Sequence, residues 1–441
     1  MLPFDAPSAG DNALTDAVMA AASDYAARNP RSAAAHAEAA QVLPGGNTRS
    51  VLHYDPFPLA MVRGRGCRLW DADGHEYIDF LGEFTAGIYG HSDPQIAAAI
   101  RAALDDGLNF GSQTLREADL AGLIKARFPS MELLRFTNSG TEANLMALAL
   151  ATAHTGRKSV MVFEGGYHGG VLTFPKGGSA VNVPHPYVTA DFNDTDGTRT
   201  LIRAHAADLA AVIIEPMLGG GGCLPADPAF LRMLRDEATA AGALLIFDEV
   251  MTSRLSPGGI QGLVGITPDM TTLGKYIGGG MSAGAFGGLG AIMGRFDPRR
   301  TDALPHAGTF NNNALTMAAG AVGLRDVFTP AAANALNARG DRLRTALNAA
   351  FIGADLPLCM AGMGSLMNIH PVAAIPNSPR DLAHADKRIR DLIFFDLAED
   401  GIYIARRGLM ALSQVLGDTE IDRMMAVVTA RLPRWQGLMV R

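Results

Sequence analysis

Residues 133–144 have the sequence LLRFTNSGTEAN, in which an apolar run is followed by small polar residues and then by a helical pattern. The run predicts a strand over Leu133–Thr137, followed after a short turn by a helix. Ser139, Gly140 and Thr141 lie between the strand and the helix. Backbone N–H groups at a helix N-terminus bind anions, so this turn indicates a phosphate site. An ordinary helix cap formed by Ser139 or Thr141 explains the pattern equally well.

Similar short apolar runs alternate with helical patterns from about residue 115 to residue 300. The runs predict strands at residues 133–137, 159–163, 210–215 and 243–250. Because apolar and polar residues do not alternate within them, helices are expected to cover both faces of the sheet. The order predicts an α/β fold with a mostly parallel sheet, in which ligands bind at the carboxyl ends of the strands.

The chain has 441 residues, of which 48% are hydrophobic and 18% are charged, so several folded units are expected. Ala-rich helices are predicted over residues 12–42, and the pattern changes again after residue 309. We predict an N-terminal helical segment at 1–65 that packs with the small domain. A large domain is predicted at 66–325, and a smaller α+β domain at 326–441.

Composition excludes several classes of protein. The net charge of −7 argues against a nucleic-acid-binding protein, which usually carries a basic surplus. The cysteines Cys67, Cys223 and Cys359 are odd in number and far apart, which predicts neither disulfides nor a metal site. The sequence shows neither a signal peptide nor an apolar stretch of ~18 residues, so we expect a cytoplasmic protein without membrane contact.

Three further residues carry chemistry at predicted strand ends. Asp248 closes an apolar strand, and a buried carboxylate there requires a partner such as a protonated ring nitrogen. Lys275 stands between apolar residues and a glycine run, where a lowered pKa favours a nucleophilic amine. Tyr167 follows another strand and is suited to stacking on a planar ring. Each has a plainer alternative: a surface Asp-Glu pair, a solvated loop lysine and a core tyrosine.

Taken in order, these motifs resemble those of the class III aminotransferases, which use pyridoxal 5′-phosphate (PLP) and have fold type I. The resemblance covers about residues 35 to 430. The matching segments are Asn138–Asn144, Gly165–Gly169, Glu215-Pro216, Asp248–Val250, Leu273–Gly280 and Gly308-Thr309-Phe310. It implies a large domain with a helix-covered, mostly parallel sheet and a smaller α+β domain. It also implies a PLP cofactor and a homodimer with shared active sites.

The resemblance also implies roles for individual residues. Lys275 would form the Schiff base with the cofactor and move the proton during catalysis. Asp248 would pair with the pyridinium nitrogen, and Glu215 would lie close to the cofactor or to Asp248. Thr309 matches the position that reaches the phosphate bound by the neighbouring subunit.

The remaining implied contacts surround the cofactor. Ser139, Gly140 and Thr141 would hold its phosphate. Tyr167 would stack on one face of the ring and Val250 on the other. No metal is implied.

Within the class, the chain resembles the bacterial β-phenylalanine aminotransferases, a β-amino-acid branch. The segments concerned are Asn47–Tyr54, Leu69–His91, Arg135–Leu148, Asp248–Arg254 and Thr271–Gly288. The resemblance implies that Arg49 and Arg407 bind substrate carboxylates, with the adjacent Arg406 as the alternative to Arg407. An ion pair is the alternative role for Arg49. The implied reaction is ping-pong transamination from a β-phenylalanine-like donor to 2-oxoglutarate or pyruvate.

Three other functions are alternatives to transamination. The segment LPGGNTRS at 43–50 also resembles glutamate-1-semialdehyde 2,1-aminomutases. However, Met281-Ser282 stands where those enzymes usually have Leu-Pro, and Phe310–Ala314 differs from their Ser-Gly-Asn-Pro. A non-catalytic PLP-fold binding protein would need neither Lys275 nor Asp248. A nicotinamide oxidoreductase would need a G-x-G-x-x-G turn between strand and helix, which we do not find.

Overall fold

The computed structural model describes residues 9–439. The helices of this part are α1 (Ala9–Arg28), α2 (Pro30–Ala39), α3 (Pro94–Asp106), α4 (Leu115–Arg127), α5 (Gly140–Thr155), α6 (Thr195–His205), α7 (Pro228–Ala241), α8 (Gly259–Val264), α9 (Gly290–Met293), α10 (Ala314–Val322), α11 (Pro330–Gly353), α12 (Lys387–Glu399) and α13 (Asp418–Met439). The strands are β1 (Met61–Arg65), β2 (Arg68–Asp71), β3 (Glu76–Asp79), β4 (Leu133–Thr137), β5 (Ser159–Phe163), β6 (Tyr187–Ala190), β7 (Leu209–Ile214), β8 (Met217–Leu218), β9 (Leu224–Pro225), β10 (Leu244–Asp248), β11 (Met270–Gly274), β12 (Gly284–Gly288), β13 (Cys359–Met363), β14 (Leu366–His370), β15 (Ile402–Tyr403) and β16 (Leu409–Ala411).

The central sheet contains seven strands in the order β4-β12-β11-β10-β7-β5-β6. All of them run in one direction except β12, which is antiparallel to both β4 and β11. Successive residues of β7 and β10 enter different apolar cores. One core contains Phe230 and Leu234 of α7, and the other contains Ala143 and Leu148 of α5. Helices therefore cover both faces, and the predicted mostly parallel sheet is confirmed.

Strand β12 was not predicted, because its sequence GAFGG has little intrinsic preference for a strand. Its glycines are explained by close approach of the neighbouring backbones. A Cβ at Gly284 would clash with the Ser139 carbonyl oxygen, and one at Gly287 would lie 2.6 Å from that of Leu133. Pairing with the neighbouring strands therefore stabilises β12, and its glycines allow β4 and β11 to flank it closely.

The smaller sheets connect distant parts of the chain. Strands β1, β2 and β3 form one sheet with β15, and Ile402 of β15 lies opposite Ile78 of β3. Strands β13, β14 and β16 form another. The predicted N-terminal helical region is two helices, because Pro30 follows Asn29 and begins α2. The proposed division at residues 65 and 325 stays a prediction. Among residues 9–439, no helix combines the length and apolar character of a membrane span.

Candidate active site

Three predicted site residues are brought to one edge of the central sheet by the ends of its strands. Asp248 is the last residue of β10, Lys275 directly follows β11, and Ser139 lies just beyond the end of β4. These three strands run in the same direction, so their carboxyl ends share this edge. The edge is therefore the candidate active site.

The Asp248 carboxylate, with its residue only 3% exposed, lies in a hydrogen-bond network. Its Oδ2 accepts from Nδ2 of Asn144 at 2.8 Å and lies 2.7 Å from Nδ1 of His168. Its Oδ1 accepts from the N–H of Val250 at 3.0 Å. Burial by itself lowers the pKa of His168, but the hydrogen bond and charge of Asp248 outweigh it and raise that pKa. The network holds a negative charge away from water.

Asn144 and His168 had no role in the sequence-based hypothesis, although both stand inside matching segments. Asn144 lies on α5 and also donates from Nδ2 to the carbonyl oxygen of His168 at 2.9 Å. Both side chains are buried, and a buried amide or imidazole requires hydrogen-bond partners. The signal that could have found them is their polarity at positions where the sheet and its helices pack.

Glu215 lies beyond the end of β7, beside the Tyr167 loop. Its carboxylate accepts from the N–H of Tyr167 at 2.8 Å and from that of Gly219 at 3.1 Å. Burial and the charge of Asp248 raise the pKa of Glu215 to about 7, against an opposing effect of His168. Glu215 therefore anchors the loop that carries Tyr167, whose side chain is 48% exposed.

The Lys275 amine is partly buried and carries no ion pair within the described part of the chain. Its Nζ donates to the carbonyl oxygen of Phe84 at 3.0 Å. Burial, with the positive charges of Arg49 and Arg407, lowers the pKa of Lys275 to about 8. The lowered pKa enlarges the fraction of neutral amine near neutral pH, which is the nucleophilic form.

The turn between β4 and α5 forms the candidate phosphate site. Ser139 is the N-cap of α5, and its Oγ accepts from the N–H of Glu142 at 3.2 Å. A Cβ at Gly140 would lie 2.7 Å from Cγ2 of Val250, and one at Gly169 would clash with Thr141. Small residues thus let neighbouring loops close around the helix N-terminus. The capping role does not compete with anion binding, since the cap uses one N–H of several.

Thr309 lies in an exposed turn. It makes no side-chain hydrogen bond within residues 9–439. Its turn approaches the candidate phosphate site of the same chain, because Nδ2 of Asn138 donates to Oδ1 of Asn311 at 3.0 Å. The contact of Thr309 with a neighbouring subunit stays a prediction.

Arg49 and Arg407 converge on one aromatic ring. Their guanidinium carbons lie 5.3 Å and 5.7 Å from the centroid of Phe84, whose carbonyl oxygen holds Lys275. Arg49 also forms an ion pair with Glu83, while Arg407 has no carboxylate partner among the described residues. Glu83, Phe84 and Arg407 line a cavity of about 910 Å³.

Arg406 has different surroundings from Arg407. Its Nε donates to Asp391 at 2.7 Å, and its guanidinium carbon lies 5.4 Å from the Phe395 centroid. In contrast, burial lowers the pKa of Arg407, and its Nε has no hydrogen-bond partner in the described part of the chain. These contacts favour Arg407 over Arg406 as the free cation of the site.

The residues at this edge fit pyridoxal phosphate. A buried carboxylate suits a protonated ring nitrogen, an amine of lowered pKa suits the aldehyde carbon, and a helix N-terminus suits the phosphate. The imidazole Nε2 of His168, beside this carboxylate, is buried and has no hydrogen-bond partner among residues 9–439, so the residues at this edge leave one polar atom for a bound group. Fold and site together define a PLP-dependent enzyme of fold type I.

Comparison with known proteins identifies the family. Residues 51–414 match the family model described as aminotransferase class-III. The chain therefore belongs to the class III aminotransferases, and its cofactor is pyridoxal phosphate.

Relatives of several kinds resemble the chain. The beta-phenylalanine transaminase of Variovorax paradoxus is 51% identical over 418 residues, which are 95% of both proteins. A solved structure of the beta-phenylalanine aminotransferase from this organism has a TM-score of 0.96 at 50% identity, covering 97% of this chain and 99% of that one. A transaminase with PLP bound has a TM-score of 0.84 at 34% identity, covering 93% and 98%. The glutamate-1-semialdehyde 2,1-aminomutase 2 of Anoxybacillus flavithermus is 39% identical, covering 77% of this chain and 82% of its own.

Proposed function

We propose that this enzyme transfers the amino group of a β-amino acid, such as β-phenylalanine, to a 2-oxo acid, either 2-oxoglutarate or pyruvate. The observation that carries the proposal is the pair of arginines that converge on Phe84 beside Lys275. The identity to the Variovorax enzyme supports the same substrate class.

The proposed roles follow from the contacts. Pyridoxal phosphate supplies the electron-withdrawing ring that makes removal of a proton from the amine-bearing carbon possible. Lys275 binds the cofactor and moves that proton at its Nζ, and Asp248 keeps the ring nitrogen protonated. Glu215 holds the backbone of Tyr167. The phenol ring of Tyr167 would pack on one face of the cofactor, and Val250 would pack on the other.

The phosphate is held, in our proposal, by Ser139, Gly140 and Thr141 at the N-terminus of α5. Two further proposals concern the assembly and the cellular compartment. Thr309 is exposed, which suits a contact with the phosphate of a second subunit in a homodimer with shared active sites. The three cysteines are free and buried, which supports a location in the reducing cytoplasm.

Two arginines solve a geometric problem of ping-pong transamination. In a β-amino acid the carboxylate lies one carbon farther from the amine than in an α-amino acid. One fixed arginine cannot hold both carboxylates with the amine at the same place. We assign the β-amino acid carboxylate to Arg49 and the α-carboxylate of the acceptor to Arg407.

Removal of each arginine is expected to damage a different half-reaction. A charge-assisted contact contributes ~1.5–3 kcal/mol, which is roughly 10- to 150-fold in kcat/KM. Arg49→Ala should slow the β-amino acid half-reaction more than the 2-oxo acid half-reaction, and Arg407→Ala should do the reverse. Single-turnover absorbance changes measure the rates of both half-reactions, and the exposed Arg299→Ala variant is the control. Equal losses of rate in both half-reactions would refute the assignment of one carboxylate to each arginine.

The second candidate function is the glutamate-1-semialdehyde 2,1-aminomutase reaction, favoured by the similarity to the Anoxybacillus enzyme. A mutase returns the amine to the same carbon skeleton, whereas an aminotransferase releases its keto product. A non-catalytic binding role is disfavoured, because it needs neither the lowered pKa of Lys275 nor the buried Asp248.

A side-by-side assay separates the two reactions. We expect amine transfer from β-phenylalanine to 2-oxoglutarate or pyruvate, measured as the new amino acid by chromatography. We expect little conversion of glutamate-1-semialdehyde to 5-aminolevulinate. The opposite pattern would assign the mutase function instead.

A further inference from the structure

A strained turn runs along one wall of the candidate site. Gly82, Glu83, Phe84 and Thr85 have consecutive φ values of 54°, 47°, 50° and 85°, in a region that L side chains rarely adopt. Non-glycine residues keep such conformations only where surrounding structure determines them, and such turns cluster at functional sites.

Buried partners on several sides hold this turn. Oδ1 of Asp79 accepts from the N–H of Gly82 at 3.0 Å, and Nη1 of Arg254 donates to the carbonyl oxygen of Thr85 at 3.2 Å. Lys275 donates to the Phe84 carbonyl oxygen at 3.0 Å. The backbone of Glu83 is thereby fixed between contacts to the rest of the site, and so is the direction in which its side chain leaves.

The Glu83 side chain forms an ion pair with Arg49. The pair is partly exposed, at 55% of the Glu83 side chain and 43% of that of Arg49, so dissolved carboxylates can reach it. Both charges act on Lys275, whose pKa is lowered by Arg49 and raised by Glu83. The ion pair therefore lies close to the reacting amine. Arg407, on the same Phe84 ring, has no such partner within the described residues.

We propose that Glu83 is a specificity-determining residue, an internal carboxylate that occupies Arg49 until a substrate carboxylate displaces it. This inference rests on the proposed function, because it takes Arg49 as a carboxylate-binding residue. A donor carboxylate at Arg49 competes with Glu83, whereas an acceptor carboxylate at Arg407 meets no competitor. While the acceptor is bound, Glu83 neutralises Arg49, so no unpaired cation remains beside Lys275.

The test uses 3-phenylpropanoate, which has the carboxylate and aromatic ring of β-phenylalanine but no amine. Its binding to the holoenzyme is measured by titration calorimetry and requires no turnover. Glu83→Gln should tighten binding roughly three- to fivefold, because an exposed ion pair contributes ~1 kcal/mol or less. Glu83→Ala should act in the same direction. Glu76→Gln, which removes an exposed partner of Arg68, is the matched control and should change nothing.

The tighter binding of 3-phenylpropanoate must depend on Arg49. In an Arg49→Gln background, adding Glu83→Gln should leave the affinity for 3-phenylpropanoate unchanged. In kinetics, Glu83→Gln should lower the ratio of KM for β-phenylalanine to KM for 1-phenylethylamine, which lacks a carboxylate. The effect of the lost charge on Lys275 falls on both amines and leaves this ratio unchanged. A purely structural role of Glu83 would change the KM values for both amines alike.

The outcomes separate this inference from the proposed function. Tighter binding that depends on Arg49, without turnover of β-amino acids, would sustain the competition and refute the proposed substrate. Turnover of β-phenylalanine with an affinity that Glu83→Gln leaves unchanged or weakens would overturn the competition alone. Absence of 3-phenylpropanoate binding in both the wild type and Glu83→Gln would also overturn it.

Discussion

Replacing Lys275 with alanine is expected to abolish transamination, with a loss of at least ~10³-fold in turnover. The amine at this position is partly buried, has a pKa of about 8 and lies at the same sheet edge as Asp248. Turnover of β-phenylalanine with a 2-oxo acid is the first measurement. The variant should still bind some cofactor, since the proposed phosphate site is intact.

Borohydride reduction of the wild-type holoenzyme provides the second measurement. The cofactor should become fixed to the peptide that contains Lys275, and no label should appear there in Lys275→Ala. Folding should survive, because lysine already carries a Cβ at a φ of 61° and alanine adds no new clash. Lys176→Ala, in an exposed loop, is the control. Label on any lysine other than Lys275 would contradict the assignment.

The sheet and the edge that carries the candidate site could be predicted from sequence because their signals are local. Apolar runs predicted β4, β5, β7 and β10, and a polar residue at the end of such a run already indicates a place at the ligand-binding edge. Asp248 and Ser139 were found in this way. The helices between these strands follow from the same alternation.

The parts that sequence did not predict depend on tertiary contacts. Strand β12 consists mostly of glycine, and its pairing is determined by β4 and β11 on either side. The left-handed conformation of Glu83 and Phe84 is imposed by contacts with residues far away along the chain. His168 has its partner Asp248 80 positions away, so no local pattern connects the two.

Asp248 and Glu249 adjoin in sequence but serve different parts of the molecule. Asp248 faces Asn144 and His168 at the site, whereas the fully buried Glu249 accepts from the N–H groups of Ile260 and Gln261 at 2.8 Å and 3.0 Å. Glu249 thus supports the start of α8. The pair therefore offers an internal comparison between a carboxylate of the site and a carboxylate of the scaffold.

Asp248→Asn is expected to slow the amine half-reaction by at least ~100-fold, because a neutral amide no longer holds the proton of the ring nitrogen. The amide group also turns a donor toward Asn144 or His168, which disturbs the network around Oδ2. Cofactor affinity should fall less, since the phosphate and Lys275 contacts remain. Single-turnover absorbance after addition of β-phenylalanine measures the rate.

Glu249→Gln is the matched control, and its effect should fall on stability. Loss of charge-assisted hydrogen bonds to α8 should cost ~1–3 kcal/mol, seen as a lower Tm, with the half-reaction rate close to wild type. Asp248→Asn should instead keep its Tm closer to wild type while losing rate. If Asp248→Asn retains a near-normal half-reaction, the carboxylate is not the partner of the ring nitrogen. If both variants lose rate in proportion to lost stability, the two carboxylates act through the scaffold alone.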